Sequence, residues 1–451
     1  MKQYVKLAAI ALGVVAMGFT SCKKTPTGMI ELTGGQPTIK YIRLQDVAEG
    51  EKIVTEASVQ SGLTIIGDNL TSIKEMYFND QKAVINTSYM TKNALLVSVP
   101  KNIPSVVMDQ IIMVTRDGDT CRYPFHVVVP APVVNTMSNE YAAAGQKVTI
   151  NGSYFVDDPN VPIRVFFTGV PEAPQMVMVD SKVEITNNNS TITFEVPAGA
   201  PMGRVEVSTV YGVGTSHFYY LDDRGVFLNY EGEKFDEPFG LVPQGWNPAH
   251  KFMPADANSV SGNYVQYGPS TLPADGAWTE TLKMSYWCGN WNGDPMSITS
   301  GAGAPLRNLF PAGYFAKPEE LVFKFEMRIP KSNPWKAGAL QVLFVNNQYC
   351  ANDTWQNNTY IHPSTAGGLD LCRGMYRPWL ATGSFDTDDE WITVTIPISE
   401  FTYNMDGTPG AKPIQESSFD SFVMWPLTGG VEGTECEPIF QYDNLRIAPK
   451  L

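Results

Sequence analysis

The chain has 451 residues, of which 43% are hydrophobic, only 17% are charged, 38 are glycine and 33 are proline, and its formal net charge at pH 7 is −14. This length predicts about three domains, and so many turn-forming residues favour β structure over long charged helices. The negative charge and the absence of basic clusters in the sequence argue against nucleic acid or an anionic lipid surface as the main partner, and leave neutral ligands open.

The first 21 residues have the pattern of a signal peptide. A basic start, Met1–Lys6, is followed by an apolar run, Leu7–Phe19, that is shorter than the roughly 20 residues needed to span a bilayer. Small residues then precede Cys22. This junction resembles a bacterial lipobox, which implies that Cys22 is lipidated and begins the mature chain, with simple secretion as the alternative. The polar, turn-rich residues 22–36 predict a flexible tether.

An internal repeat follows the tether. The segment Leu63–Leu70 is echoed by Val148–Phe155, and each copy begins with a proline-led apolar segment and ends in a strand closed by proline. Alternating apolar residues between turn signals predict one small β-sandwich per copy, at residues 37–130 and 131–222.

Both copies resemble the immunoglobulin-like IPT/TIG module, in which a proline-led first strand precedes the pattern apolar-Thr-Ile-x-Gly. The fold accounts for the glycines of that pattern, because a turn or bulge explains Gly67 and Gly152. Neither copy gathers polar residues around aromatic rings. We therefore interpret both modules as spacers.

From residue 223 the chain changes character. Val226–Glu231 predicts an opening strand and Ile439–Ile447 a closing strand, and we expect these two to pair. Long loops separate further predicted strands: Leu321–Ile329, Ala339–Val345, Trp391–Ile396 and Ser421–Trp425. This pattern favours one jelly-roll sandwich of the galactose-binding or carbohydrate-binding type over residues 223–451. The expected fold class is thus all-β, with two tandem immunoglobulin-like sandwiches followed by a larger one.

All nine tryptophans lie in this third domain, from Trp246 to Trp425. An aromatic face can stack on the C–H face of a pyranose ring, while amide and guanidinium groups bond its hydroxyls. Several loops set an aromatic residue beside Asn, Gln, Asp or Arg. They supply the candidate glycan-binding residues Trp246, Tyr286, Trp287, Asn290, Trp291, Trp355, Tyr376, Arg377 and Trp379. Trp391 lies in an apolar strand pattern, as does Trp425, so both are predicted to be core residues, whereas Trp278 fits either role.

Catalysis has little support in the sequence. Glycoside hydrolysis needs two carboxylates at a fixed separation, and the laminarinase-type motif Glu-x-Asp-x-x-Glu does not occur. Asp294, Asp353 and Asp370 can still meet in space, so a jelly-roll glycoside hydrolase stays open as an alternative.

Metal binding and disulfide bonding are weakly indicated. The four histidines are scattered without metal-ligand spacing, so no metal or cofactor is expected, apart from a structural Ca²⁺ for which Asn229, Glu231 and Asp443 offer oxygens. Besides Cys22 there are five cysteines. A bridge such as Cys350–Cys372 and buried free thiols both remain open.

The order of these segments resembles the surface glycan-binding proteins of Bacteroidota polysaccharide utilisation loci, in the longer form with tandem immunoglobulin-like modules. The resemblance rests on Cys22, the two repeat copies and the tryptophan-rich terminal sandwich, in which Tyr286-Trp287 and Trp246 are most like that family's aromatic platform. It implies non-catalytic capture of a β-glucan, of the xyloglucan or mixed-linkage class, at the outer membrane and facing the cell exterior. The implied partners are a TonB-dependent transporter and a SusD-like protein.

A non-sugar surface adhesin is the second alternative. Immunoglobulin-like repeats also mediate protein contacts, and a protein-binding stalk would carry its aromatic hot spots on the repeats. In this sequence the tryptophans are confined to the distal domain. Their distribution therefore favours the sugar ligand.

Overall fold

A computed structural model describes residues 34–46, 48–50, 52–231, 250–277, 280–286, 304–345, 372–410 and 413–451. The chain divides into two compact units: one runs to Pro130 and takes in Asp158–Val161, and the other holds Ala131–Asp157 with Pro162–Leu451. In the described ranges the regular structure is β-strand, joined by 3-10 turns at Leu70–Ser72, Thr87–Tyr89, Glu280–Leu282, Leu306–Leu309, Pro318–Glu320, Pro378–Ala381, Ile398–Glu400 and Glu416–Ser418. None of these residues forms a helix long and apolar enough to cross a membrane.

The first unit is a small β-sandwich. Its strands are β1 (Thr38–Leu44), β2 (Glu56–Ser58), β3 (Gly62–Asp68), β4 (Ile73–Phe78), β5 (Gln81–Lys82), β6 (Ala94–Ser98), β7 (Gln110–Thr115), β8 (Thr120–Pro124) and β9 (His126–Val128). One sheet has the order β1-β3-β6, a second has the order β5-β4-β7-β8, and β2 pairs in parallel with β9. Leu63 and Ile65 on β3 are fully buried, as are Met76 and Phe78 on β4, so the alternation read from the sequence forms the core.

The second module repeats this plan within the second unit. Its strands are β10 (Val133–Met137), β11 (Lys147–Ser153), β12 (Arg164–Thr168), β13 (Met176–Met178), β14 (Glu184–Thr186), β15 (Thr191–Glu195), β16 (Val205–Thr209) and β17 (Gly212–Thr215). They form two sheets, β10-β11-β15-β14 and β13-β12-β16-β17. The predicted tandem repeat of immunoglobulin-like sandwiches is thus present in the fold.

One glycine in each copy explains the shared sequence pattern. The proline-led first strand of each module carries a β-bulge where it pairs with the next strand. A Cβ on Gly67 would lie 1.9 Å from the carbonyl oxygen of Thr38, and a Cβ on Gly152 would lie 1.9 Å from that of Val133. The prediction that a turn or bulge requires these glycines is confirmed.

The terminal domain is a larger sandwich of two sheets. Its strands are β18 (Val226–Leu228), β19 (His250–Met253), β20 (Tyr264–Tyr267), β21 (Met284–Tyr286), β22 (Leu321–Arg328), β23 (Ala339–Val345), β24 (Gly374–Tyr376), β25 (Ile392–Pro397), β26 (Ser421–Leu427) and β27 (Phe440–Pro449). The first sheet is six-stranded: it has the order β19-β20-β27-β22-β25, and β18 also pairs with β27. The second sheet is four-stranded and has the order β21-β26-β23-β24. The predicted opening and closing strands do pair, since Val226 lies opposite Arg446.

The core of this domain lies between the two sheets. Phe323 on β22 meets Phe344 on β23 and Phe422 on β26, with ring centroids 5.2–5.8 Å apart. All three rings are fully buried. Aromatic packing of this kind fixes the two sheets face to face, which positions the strand ends of the domain.

A buried charge cluster joins the second module to the outer face of the six-stranded sheet. Glu140 of the second module accepts hydrogen bonds from Lys324 on β22 at 2.6 Å and from Arg446 on β27 at 2.8 Å. Glu326 on β22 completes the cluster with a second contact to Arg446 at 2.9 Å. Thr393 on β25 adds a neutral hydrogen bond: its hydroxyl oxygen accepts a bond from the backbone N–H of Glu140 at 2.7 Å. The two carboxylates balance the two cations, so the interface buries ions without net charge.

Candidate functional site

Most of the predicted glycan-binding residues fall outside the described residues. These are Trp246, Trp287, Asn290, Trp291 and Trp355, together with the predicted lipidation site Cys22 and the undecided Trp278. Tyr286 is the last residue of β21, of which the backbone is described. Tyr376, Arg377 and Trp379 are described in full. The site is therefore built from the strands that lead into the aromatic segments and from these three side chains.

Two of the aromatic segments are entered from one end of the four-stranded sheet. Tyr286 at the end of β21 lies opposite Phe422 on β26, which in turn lies opposite Phe344 on β23. The last residue of β23, Val345, is thus level with the end of β21. The chain enters residues 287–303 and 346–371 from this shared end, which we call the loop end of the sandwich.

The other predicted site residues lie at the opposite corner of the same sheet. Tyr376 on β24 pairs with Leu340, four residues before Phe344 on β23. That offset corresponds to about 13 Å along the strand, and the three strand spacings from β21 to β24 add about 14 Å across the sheet. The backbone of Tyr376 is therefore about 20 Å from that of Tyr286. The sheet therefore does not bring Tyr286 and Tyr376 together.

Trp379 is a core residue, which corrects its prediction as a loop ring. Only 4% of its surface is exposed, and its Nε1–H donates to the carbonyl oxygen of Gly338 at 2.7 Å. The edge of its ring leaves no room for a side chain at Gly433. The residues around Trp379 are polar and turn-forming, but the short turn Pro378–Ala381 follows β24 directly and places the indole in the core of the sandwich.

Tyr376 is half-buried against the main core of the domain. Its ring packs against Trp335 and Phe385 with centroids 6.2 and 6.3 Å away. Burial raises the pKa of Tyr376 from 10.0 to about 12, so its hydroxyl stays protonated, and able to donate a hydrogen bond, to higher pH than an exposed tyrosine does.

Arg377 is also half-buried and is held in place by its neighbours. Its Nη1 donates to the carbonyl oxygen of Gly429 at 2.8 Å, and its guanidinium lies 5.6 Å from the centre of the Tyr403 ring. A guanidinium fixed over an aromatic ring can donate to sugar hydroxyls at little entropic cost. Arg377 with Tyr403 is the part of this corner that suits a hydroxylated ligand.

Trp391 and Trp425 are buried, as predicted for core residues. Trp391 is 7% exposed and donates its Nε1–H to the carbonyl oxygen of Asn258. Trp425 is 2% exposed and lies on the face of the four-stranded sheet that points away from the main core, in a separate cluster with Leu343 and Val423. Both faces of this sheet are therefore apolar.

A buried polar pair beside Trp425 was missed in the sequence. Gln341 lies directly opposite Trp425, and its amide donates to the carbonyl oxygen of Leu427 at 3.1 Å. Arg373 donates from Nη1 to the side-chain oxygen of Gln341 at 2.9 Å. Both residues are buried. The one available signal was a glutamine in the middle of an otherwise apolar strand, Ala339–Val345, because a polar side chain there needs a buried partner.

All three residues that could offer oxygens to calcium, Asn229, Glu231 and Asp443, are described, and the Asn229 side-chain oxygen accepts the backbone N–H of Glu231 at 3.2 Å. Asp443 is fully buried, accepts a hydrogen bond from the Ser261 hydroxyl at 2.8 Å, and has its pKa raised to about 8 by desolvation. Across the described ranges, no set of three or more His, Cys, Asp or Glu side chains is placed to hold a metal ion.

The predicted disulfide bridge cannot be placed in the same way. Cys350 lies outside the described ranges, so the bridge Cys350–Cys372 stays a prediction.

These observations define a class of protein: a modular all-β chain in which two immunoglobulin-like sandwiches are followed, along the sequence, by a larger sandwich that contains all the tryptophans. A family model for the surface glycan-binding protein B xyloglucan-binding domain matches residues 220–449, which is half of the chain. The solved surface glycan-binding protein PbSGBP-B from Prevotella bryantii is 34% identical, with a TM-score of 0.75 over 93% of this chain and 100% of its own. The chain belongs to the surface glycan-binding protein B family.

Two further relatives are more distant. An IPT/TIG domain-containing protein from Bacteroides ovatus is 25% identical over 209 residues, which are 44% of this chain and 41% of that protein. The chain thus spans less than half the length of this curated relative. The surface glycan-binding protein B from a complex xyloglucan utilisation locus in Bacteroides uniformis is 16% identical over 92% of this chain, with a TM-score of 0.44. The name of the first relative agrees with the IPT/TIG resemblance of the two repeat copies.

Proposed function

We propose that this chain is a non-catalytic, cell-surface lipoprotein that captures a β-glucan for uptake by a TonB-dependent transporter and its SusD-like partner. The observation that carries the proposal is the family match to residues 220–449, the domain that also holds every tryptophan of the chain. Xyloglucan is the first ligand to test because the matching family model names it. Mixed-linkage glucan is the second, since the sequence cannot separate the two linkage patterns.

The expected affinity is modest. Covering about 50 Å² of each stacked ring at ~25 cal/mol per Å² yields about 1 kcal/mol per sugar. A few such rings with their hydrogen bonds must exceed an association cost of at least ~4 kcal/mol. Dissociation constants between micromolar and millimolar follow, so retention in a glycan-containing gel is the appropriate assay.

Glycan-affinity electrophoresis on a panel of β-glucans tests the proposal. We expect wild-type protein to be retarded by xyloglucan or mixed-linkage glucan, and Trp287→Ala to lose most of that retardation. Tyr89→Ala is the matched control, because Tyr89 is 58% exposed on the first module. Unretarded migration of the wild type on every glycan would refute the proposal.

Catalysis and cofactors are tested with the same preparation. In this proposal the protein releases no reducing ends from a glycan that it retains, and chelation with EDTA leaves retention unchanged. Reducing-end release would instead support the glycoside hydrolase alternative. Anchoring is tested by Cys22→Ser, which is expected to move the protein from the membrane fraction to the soluble fraction.

A further inference from the structure

We infer a second sugar subsite on the terminal domain, in a cavity of 380 Å³ whose described lining includes none of the predicted glycan-binding residues. The inference rests on the proposed glycan-binding function. The cavity lies where β18 begins, where the turn Leu306–Leu309 ends, and where β27 ends. Its lining is mainly apolar, from Phe227, Leu309, Phe310, Tyr314 and Pro449, and Arg224 adds a guanidinium. An apolar cavity of this size with a few fixed polar groups is typical of a small-ligand site.

Two rings of the lining suit the C–H face of a pyranose. Phe310 and Tyr314 have centroids 4.9 Å apart and planes inclined at 41°. The Tyr314 hydroxyl donates to the carbonyl oxygen of Ile447 at 2.7 Å, which fixes this ring before any ligand binds. Leu309 beside them is 36% exposed, so the apolar lining reaches the surface. Fixed rings stack on a sugar with little loss of side-chain entropy.

Arg224 supplies a pre-positioned hydrogen-bond donor. Its Nε and Nη2 donate to the Asp222 carboxylate at 2.7 and 2.9 Å, and the Tyr219 ring centre lies 4.0 Å from the guanidinium. Among the described residues no bond to Nη1 is formed. Asp222 is fully buried and balances the charge of Arg224. A neutral sugar hydroxyl therefore suits this donor better than an acidic sugar does.

A second cavity adjoins the first and extends the proposed subsite. It measures 440 Å³, shares Tyr314 and Pro449 with the first, and is lined further on by Lys317 and Glu319. Its charged side chains can bond hydroxyls, while the shared ring forms a common wall. Two adjoining cavities suit successive units of an oligosaccharide better than one compact ligand.

The cavities can be placed relative to the strands that lead into the predicted aromatic segments. The backbone N–H of Leu306 donates to Asp420 at 2.9 Å, and the N–H of Asp420 donates to Val345, the last residue of β23. Arg307 holds the same region through an ion pair with Asp420 at 2.8 Å. The cavities therefore lie at the loop end of the sandwich, where the chain enters residues 287–303 and 346–371.

The test compares full-length variants on a long and a short ligand. Phe310→Leu keeps an apolar side chain but removes one ring, and Arg224→Lys keeps the charge opposite Asp222 but removes the planar donor. We expect each variant to bind xyloglucan polysaccharide roughly fivefold more weakly, the effect of about one stacked ring or one hydrogen bond. A short xyloglucan oligosaccharide that is long enough only for the main glycan site should bind to each variant as it does to wild type. Tyr41→Leu, with a 36% exposed ring on the first module, is the matched control and should change neither affinity.

The outcomes separate this inference from the function on which it rests. Unchanged polysaccharide affinity in both variants overturns the subsite while wild-type retention still supports glycan capture. An equal loss for the short and the long ligand also overturns it, because the variants would then disturb the main site. Thermal melts of each variant identify any that fails to fold. A wild type that binds no glycan removes both proposals together.

Discussion

The indole nitrogens distinguish structural tryptophans from candidates for binding. Trp335, Trp379 and Trp391 each donate Nε1–H to a backbone carbonyl oxygen. A buried N–H needs such a partner, whereas a ring that stacks on a sugar keeps its edge near solvent. The carbonyl that accepts the Trp379 Nε1–H belongs to Gly338, 41 positions away in the chain. The sequence around Trp379 therefore does not predict this hydrogen bond.

Trp379→Phe tests the structural role of that ring. The change leaves the Gly338 carbonyl without its buried donor and removes part of a packed side chain, so we expect unfolding free energy to fall by about 1–3 kcal/mol. Urea denaturation measures this loss. Glycan retention of the folded protein should equal that of wild type; a selective loss of retention with normal stability would return Trp379 to the binding residues.

Asp443 gives the protein a pH-dependent stability. Its pKa is about 8 in the folded state against an ordinary value of 3.8, because burial disfavours the charged form. Between these values the unfolded chain ionises while the folded chain keeps the proton. The contribution of Asp443 to unfolding free energy therefore falls as pH rises from about 4 to about 8. Melting temperatures at pH 5 and pH 8 should differ less in Asp443→Asn than in wild type, and an equal pH response in the two proteins would contradict this assignment.

Strand positions were largely predictable at the scale of single elements. The expected strands at 321–329, 339–345, 391–396 and 421–425 are β22, β23, β25 and β26 within one or two residues at each end. Alternating or continuous apolar runs bounded by turns carry this information locally. Such local runs do not predict the register between strands that are distant in the chain, because register depends on which residues meet across the sheet. For this reason the separation of Tyr286 from Tyr376 emerged only in the fold.

The paired glycines of the two repeats make a prediction at the element scale. Alanine at Gly152 would bring a Cβ within 1.9 Å of the Val133 carbonyl oxygen, so the bulge between β10 and β11 has to open. We expect Gly152→Ala to lower unfolding free energy by about 1–3 kcal/mol or more. Gly34→Ala, where no atom lies within 4 Å of the added carbon, is the control and should melt like wild type. Equal melting of the two variants would contradict a steric role for Gly152.

At the scale of the whole molecule, Glu140 connects the second module with the terminal domain. Glu140→Ala would leave buried Lys324 without its carboxylate partner and reduce the charge opposite Arg446. We expect unfolding free energy to fall by about 3–5 kcal/mol, because an uncompensated buried charge is costly. Lys147→Ala, which breaks an exposed 3.5 Å pair with Glu184, is the control and should not change the denaturation midpoint. A similarly small effect of both variants would show that the cluster does not hold the two parts together.

The sequence predicted three sandwiches but not the cluster between the last two. Glu140 and Arg446 are 306 positions apart in the chain, and no local pattern links them. Lys324 and Glu326 alternate with Phe323 and Phe325 on β22, which indicates a strand with one polar face. That this polar face is buried under another module depends on long-range packing.

The pairing of Val226 with Arg446 has a mechanical consequence for a protein that holds a polymer. The chain passes from the second module into the terminal domain through β18, a strand of three residues that would peel easily under tension. Arg446, opposite Val226 on β27, is also the residue that Glu140 binds. We therefore expect force on a bound glycan to be shared at one level of the sheet between the backbone of β18 and the ions of the cluster. In that arrangement the strand and the charge cluster would bear the load in parallel, which would compensate for the short connection.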